Sequence, residues 1–360
     1  MKKIKKETKN SVIKKTKKII ENITNTKKET KYVKIPLVAA IFFGLFLCSA
    51  SFFLGSMIIK PSTGETKNAK ETFAVDKTDK PEFDFFVMSF CPYGNMMEDT
   101  LKPVFDLIGS KVDLRPRYIF SKIEGGLGEY CKSATPDPTN CETYVKNSQG
   151  QLKDVNDCKQ QIAKMVTECN DEKQYLKIGN NFYSSLHGRV EANQDVREIC
   201  AYNLSDDKKS WWNFVDNVNK SCTAQNADSC WEEQAKKAGL DTAKITDCFN
   251  KDAATLIDKE IALTDQYKVQ GSPTLLVNGK NFPPENADPQ ATPGDIKVGN
   301  KVFTQAQLRS SDAIKEAICS AFKKSPKECK TVIADPTAAA AATGDNNGAA
   351  AAAAPAGSCN

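Results

Sequence analysis

Between Lys34 and Lys60 the chain runs 25 residues without a charge, Ile35 to Ile59, and no other feature limits its folding so strongly. At about 1.5 Å per residue, a helix of that length exceeds the roughly 30 Å hydrocarbon core of a bilayer. The run therefore predicts one transmembrane helix over 35–59. The preceding 34 residues hold 13 lysines against 3 acidic residues. A lysine-rich flank stays on the cytoplasmic side, so 1–34 is expected as a basic cytoplasmic tail, with everything after Lys60 exported. A cleaved signal peptide fits less well, because the basic region and the apolar run are both longer than such a signal carries. The formal charge of +5 belongs to this tail, since the chain after Lys60 holds 36 basic and 42 acidic residues. Lysines beside a span read as a topology signal or an anionic-lipid contact, and no nucleic-acid partner is expected. The predicted location is a cell membrane, single-pass, N-terminus cytoplasmic and C-terminal domain extracytoplasmic.

Of the 13 cysteines, only Cys48 lies in the apolar run. The others face the exported side, where an oxidising compartment favours disulfides. Setting aside Cys91 and Cys359, the remaining ten suit up to five bridges, although spacing alone does not give connectivity. Pairing near neighbours would join Cys131 with Cys141, Cys158 with Cys169, Cys222 with Cys230 and Cys319 with Cys329, leaving Cys200 for Cys248. Zinc is the competing use of cysteines, but no paired C-x-x-C knuckles occur. Neither a metal nor a cofactor is expected.

Residues 60–80 are polar, lack apolar periodicity and read as a linker. Glu82 to Ser89 is an aromatic-rich run of strand length. It leads into Cys91-Pro92-Tyr93-Gly94 and then a helical pattern through Met96, Met97, Leu101, Val104, Phe105, Leu107 and Ile108. Val112 to Phe120 is a second strand, completing a β-α-β start. Residues 121–184 are too long for an ordinary loop and are expected to be stapled by disulfides. Residues 190–269 read as mainly helical. Val269 to Gly279 gives a turn, a strand begun by proline and an Asn-Gly hairpin signal, with Lys301–Phe303 as return strand. A final helix is expected from Thr304 to about Lys323. The domain so delimited is 81–334, with an insertion about 121–269, and the Ala-rich stretch 335–360 is expected to be disordered.

A thiol between a strand and a helix start meets unpaired N–H groups and a partial charge of about +0.5. Such a setting lowers a thiol pKa from ~8.5 to roughly 3.5–7.5. Pro92 suits the first helical turn, and Gly94 adds no side chain to cover the sulfur. Cys91 is therefore the candidate nucleophile. The second motif is Val269-Gln270-Gly271-Ser272-Pro273-Thr274. A proline opening a strand can be cis, leaving the Ser272 backbone exposed to an extended peptide by strand addition.

Cys91-Pro92-Tyr93-Gly94 together with Ser272-Pro273-Thr274 resembles the active-site pair of thioredoxin-fold disulfide oxidoreductases of the DsbA type. That resemblance implies an α/β thioredoxin-like fold carrying a large cysteine-rich and helical insertion. A further segment, His187-Gly188-Arg189-Val190-Glu191 followed by Cys200, is similar to the signature of gamma-interferon-inducible lysosomal thiol reductase. His187, Gly188, Glu191 and Cys200 match that signature, and the resemblance implies a structural rather than a redox role for them. Ser185 and Ala192 stand where that family has cysteines, and Asp195 where it has Asn. Gly94 departs most, because dithiol relatives place there the second cysteine that releases substrate.

The expected function is extracytoplasmic, membrane-anchored thiol-disulfide exchange, as oxidoreductase or isomerase, on cysteine-containing exported proteins, with a membrane redox partner to sustain it. Cys91 would act as a single thiol, released by an external thiol or by a cysteine elsewhere in the chain, Cys359 included. Two other classes compete. A redox-inactive, chaperone-like module would hold peptides at Ser272 without turnover. A surface protein stapled by disulfides would have Cys91 itself paired.

Overall fold

In the computed structural model of the chain, residues 71–284, 295–333 and 359 are described. The basic tail, the apolar run 35–59 and nearly all of the stretch 335–360 lie outside the described residues. Among those described, no helix is long and apolar enough to cross a membrane.

The chain opens with β1 (Glu71–Phe73), β2 (Glu82–Val87), α1 (Pro92–Ile108) and β3 (Asp113–Tyr118). Then come β4 (Ser121–Lys122), α2 (Leu127–Ala134), α3 (Cys141–Asn147), α4 (Val155–Cys169), β5 (Leu176–Ile178) and β6 (Asn181–Ser184). Four helices follow: α5 (Arg189–Leu204), α6 (Lys209–Ser221), α7 (Ala227–Lys237) and α8 (Thr242–Tyr267). The remainder is β7 (Thr274–Val277), β8 (Lys280–Phe282), β9 (Ile296–Val298), β10 (Lys301–Phe303) and α9 (Ser311–Ser320).

The central sheet has the order β3-β2-β7-β8. β2 runs parallel to β3, antiparallel to β7, and β7 antiparallel to β8. The run Glu-Phe-Asp-Phe-Phe-Val of β2 is apolar on both faces because this strand is interior and covered on both sides. Phe85 meets Trp211 and Trp212 of α6, while Phe86 meets Tyr267 of α8 edge-on. Met97, Leu101, Val104 and Ile108 fall on one stripe of α1 and are buried. Asp84 is the one charge buried in β2, and it accepts from Arg115 (2.6 Å) and Arg117 (2.8 Å) of β3. A buried carboxylate held this way is compensated by hydrogen-bonded cations.

Several expectations change. Glu71–Phe73, assigned to the linker, is a strand paired parallel with β9. Lys301–Phe303 does not return along Thr274–Val277; it pairs with β9 in a separate sheet, and Lys280–Phe282 closes the hairpin instead. The Asn278-Gly279 turn places both residues at positive φ, 46° and 75°, the two-residue geometry that matches strand twist. The helix expected from Thr304 is broken. Gln305–Gln307 makes a short 3-10 turn, and Ser310 Oγ accepts from the Ala313 N–H to start α9 afresh.

Cys222–Cys230, Cys319–Cys329 and Cys200–Cys248 are disulfides. The other four cysteines pair in a nested way, Cys131 with Cys169 and Cys141 with Cys158. The reason is α4: Cys158 lies in its first turn and Cys169 at its end. Eleven residues of helix separate them by about 16 Å, far beyond disulfide reach.

Candidate active site

Cys91 is the N-cap of α1, with extended backbone, and its Sγ accepts from the Gly94 N–H at 3.4 Å. Pro92 occupies the first helical position and is exposed, while Tyr93 is half-buried. The sulfur thus sits on the positive end of a helix of 17 residues. Ser272 lies directly opposite: the Ser272–Pro273 bond is cis, and the Ser272 carbonyl oxygen is 3.4 Å from Cys91 Sγ.

Gly94 is set by this packing. A Cβ at position 94 would fall 2.7 Å from Ser272 Oγ. That hydroxyl is itself engaged, accepting from the Met88 N–H at 3.2 Å. The space a second active-site cysteine would fill is therefore occupied by Ser272, a close approach that glycine permits.

The edge of Ser272 is paired with Cys359 in an isolated antiparallel bridge. Ser272 and Cys359 exchange both backbone hydrogen bonds, Ser272 N–H to the Cys359 carbonyl at 2.9 Å and Cys359 N–H to the Ser272 carbonyl at 2.8 Å. Cys91 and Cys359 are joined by a disulfide, 268 residues apart in sequence. Cys91 is wholly buried in this arrangement, whereas Cys359 is half-buried.

α5 holds the loop in front of Cys91. Glu191 Oε1 accepts from the Phe90 N–H (2.9 Å) and lies 2.8 Å from His187 Nδ1, while Oε2 accepts from the His187 N–H at 2.8 Å. One turn on, Asp195 Oδ1 accepts from both the N–H (2.9 Å) and the hydroxyl (2.6 Å) of Ser89. Gly188 supplies the positive φ, 85°, from which α5 starts, and Cys200 fastens the helix to α8 through Cys248. His187 and Glu191 thus fix the backbone one residue before Cys91. The His187 ring is engaged by Glu191, which raises the imidazole pKa despite partial burial.

Sequence reasoning missed the acidic group behind this loop. Burial, reinforced by Glu191, pushes the Asp195 carboxyl well above the usual range. Burial likewise holds Glu198 at about 7, and burial with the nearby Glu198 raises Glu98. Glu98 accepts from Asn219 Nδ2 at 2.6 Å, and Glu198 from Gln194 Nε2 at 2.9 Å. The available signal was the acidic spacing Glu191, Asp195, Glu198 along one helix, at the i, i+4 and i+7 positions that share a face.

Residues 131–284 match the vacuolar sorting receptor thioredoxin-like domain family. That stretch holds the insertion from Cys131 onward, Ser272-Pro273 and β7–β8, and begins after Cys91. The fold is thioredoxin-like. No curated protein sequence matches the chain. Among solved structures, the chain is similar to the reduced disulfide bond oxidoreductase DsbG of Mycobacterium tuberculosis, at 13% identity over 74% of this chain and 92% of that one, TM-score 0.34. Reduced DsbA1 of Neisseria meningitidis is 14% identical over 61% of this chain and 84% of its own, TM-score 0.21. A 2-hydroxychromene-2-carboxylate isomerase reaches 11% over 63% and 90%, TM-score 0.29. The assignment of the fold rests on the strand order and the family match.

Proposed function

We propose that this protein performs thiol-disulfide exchange on cysteine-containing exported proteins, with Cys91 as nucleophile, the start of α1 as thiolate stabiliser and the Ser272 backbone as the edge that receives substrate. The observation that carries this is the placement of Cys91 Sγ at a helix N-terminus, within 3.4 Å of both the Gly94 N–H and the Ser272 carbonyl. The first contact stabilises a thiolate, and the second sets the sulfur beside a peptide-pairing edge. Anchoring by 35–59 with the domain outside the cytoplasm belongs to the same proposal. Its support is the lysine asymmetry of the sequence and the six disulfides among the described residues, which an oxidising compartment sustains.

A peptide-holding module without turnover is the second reading, favoured by the two backbone hydrogen bonds already made at Ser272. Alkylation of the mildly reduced full chain separates the two. An exchanging Cys91 titrates below the ordinary ~8.5 of a thiol, and C91S abolishes exchange with a disulfide-bonded test protein. Exchange surviving in C91S at the parental rate would remove Cys91 from the chemistry. An unshifted thiol with peptide binding intact would favour the holding module.

A further inference from the structure

Gly94 leaves Cys91 without a neighbouring thiol, and the packing of Ser272 Oγ against it closes that position to a side chain. Yet Cys91 has a sulfur partner. Cys359 reaches it from the far end of the chain and takes the backbone pairing that the Ser272 edge offers an extended peptide. Two independent contacts, a covalent bond between sulfurs and a two-bond strand pairing, place the same residue at the same site. A cysteine so seated has the arrangement of a substrate cysteine in a mixed disulfide.

We infer that Cys359 is the second redox cysteine of this protein, resolving mixed disulfides at Cys91 from the C-terminal end and occupying the peptide edge when the pair is oxidised. The inference rests on the exchange chemistry proposed for Cys91. In the reducing direction, the Cys91 thiolate attacks one sulfur of a substrate disulfide R–S–S–R′. A Cys91–S–R bond forms and R′ leaves as a thiolate that takes a proton from water. The Cys359 thiolate then attacks Cys91 Sγ, the Cys91–Cys359 bond forms, and R leaves as the second thiolate. The substrate gains two electrons and the protein loses them; an external dithiol, itself oxidised to a disulfide, restores both thiols.

The geometry couples release to displacement. A substrate strand on Ser272 and Cys359 compete for the same N–H and carbonyl, so Cys359 remakes each hydrogen bond that the product gives up. In the oxidised pair, Cys91 is fully buried and Cys359 half-buried, so the external dithiol that restores the thiols attacks at Cys359. Cys91 is then the leaving group, and its place at the helix start favours that, since a stabilised thiolate leaves faster.

The test uses the full chain with its C359S and C91S variants, treated with a limiting dithiol and mapped to confirm that Cys91 is reduced. The probe is a short extended cysteine peptide linked to itself by a disulfide. The parent chain is expected to release both halves of the probe and to re-form Cys91–Cys359 within one chain. C359S is expected to release one half and retain the other on Cys91. A thiol on the same chain acts at an effective concentration on the order of mM, so against ~10 μM external thiol the second release slows about 100-fold, and millimolar thiol rescues it. Release of both halves by C359S at the parental rate would overturn the inference while leaving Cys91 as nucleophile. Parental release by C91S would instead overturn the exchange function itself. A disulfide between two chains, or a Cys91–Cys359 bond that no dithiol opens, would also overturn the inference, the first by placing Cys359 on a neighbour and the second by making the bond a fixed staple.

Discussion

Gly94 and Ser272 form the most exacting contact at the residue scale. A methyl at position 94 would drive Ser272 Oγ from its place 3.2 Å from the Met88 N–H. Losing one buried hydrogen bond costs about 1 kcal/mol, and more when the donor is left unsatisfied. G94A is therefore expected to lower the unfolding free energy by about 1–2 kcal/mol, measured by denaturant titration. Because the collision is with one oxygen, the double variant G94A/S272A is expected to lose no more than S272A alone. Additive losses would show that Ser272 Oγ is not what position 94 meets. The resemblance marks Gly94 as the position where dithiol proteins carry a cysteine. It could not show why glycine stands here, because Ser272 lies 178 residues away in the chain and meets Gly94 only after the sheet has formed.

Among the elements, α5 joins the fold to the site. Ten of its eleven residues from Glu191 to Ala201 are buried, although five of those ten are polar. Hydrophobic periodicity, the usual sign of a packed helix, is weak there because these polar groups serve the Cys91 loop and each other. The segment was therefore legible as helical from its surroundings and from the His-Gly-x-x-Glu resemblance, and not as a clamp. Its buried acids give the fold a pH dependence. Glu198 is held at about 7 against an ordinary 4.5, so the folded chain keeps a proton that the unfolded chain gives up between those values. The associated stability is complete below pH 4.5 and is lost as pH rises through about 7. At ~1.4 kcal/mol per pKa unit, the change is on the order of 3 kcal/mol. Asp195, Glu98 and His187 are raised as well and act in the same direction. Urea midpoints should fall from pH 5 to pH 8, and E198Q should flatten that slope. A midpoint that rises with pH, or an unchanged slope in E198Q, would exclude Glu198 as its source.

At the scale of the described residues, a four-stranded thioredoxin-like sheet carries a stapled insertion, with two three-stranded sheets beside it in the strand orders β1-β9-β10 and β4-β6-β5. In the chain-entropy account, a cross-link stabilises more as the loop it closes lengthens. Cys200–Cys248 spans 48 residues and ties α5 to α8, whereas Cys222–Cys230 spans 8. The account gives about 4 kcal/mol for the first and about 2.5 kcal/mol for the second. Replacing both cysteines of each bridge by serine should show that order in melting temperature. The reverse order would mean that native packing around α7 outweighs loop closure.

The sequence by itself determined the strand–Cys–Pro–helix unit, the later Ser-Pro strand and hairpin turn, and a cysteine content suited to disulfides, because each is set by neighbours within a few residues. Tertiary structure decided what distant segments do to one another. It nested the bridges of 131–169 across a helix too long to close on itself, and it moved Lys301–Phe303 to another sheet. It also brought Glu191 and Asp195 behind Cys91, and Cys359 onto the Ser272 edge. Those pairings depend on which surfaces meet after the chain has packed, and no local spacing encodes that.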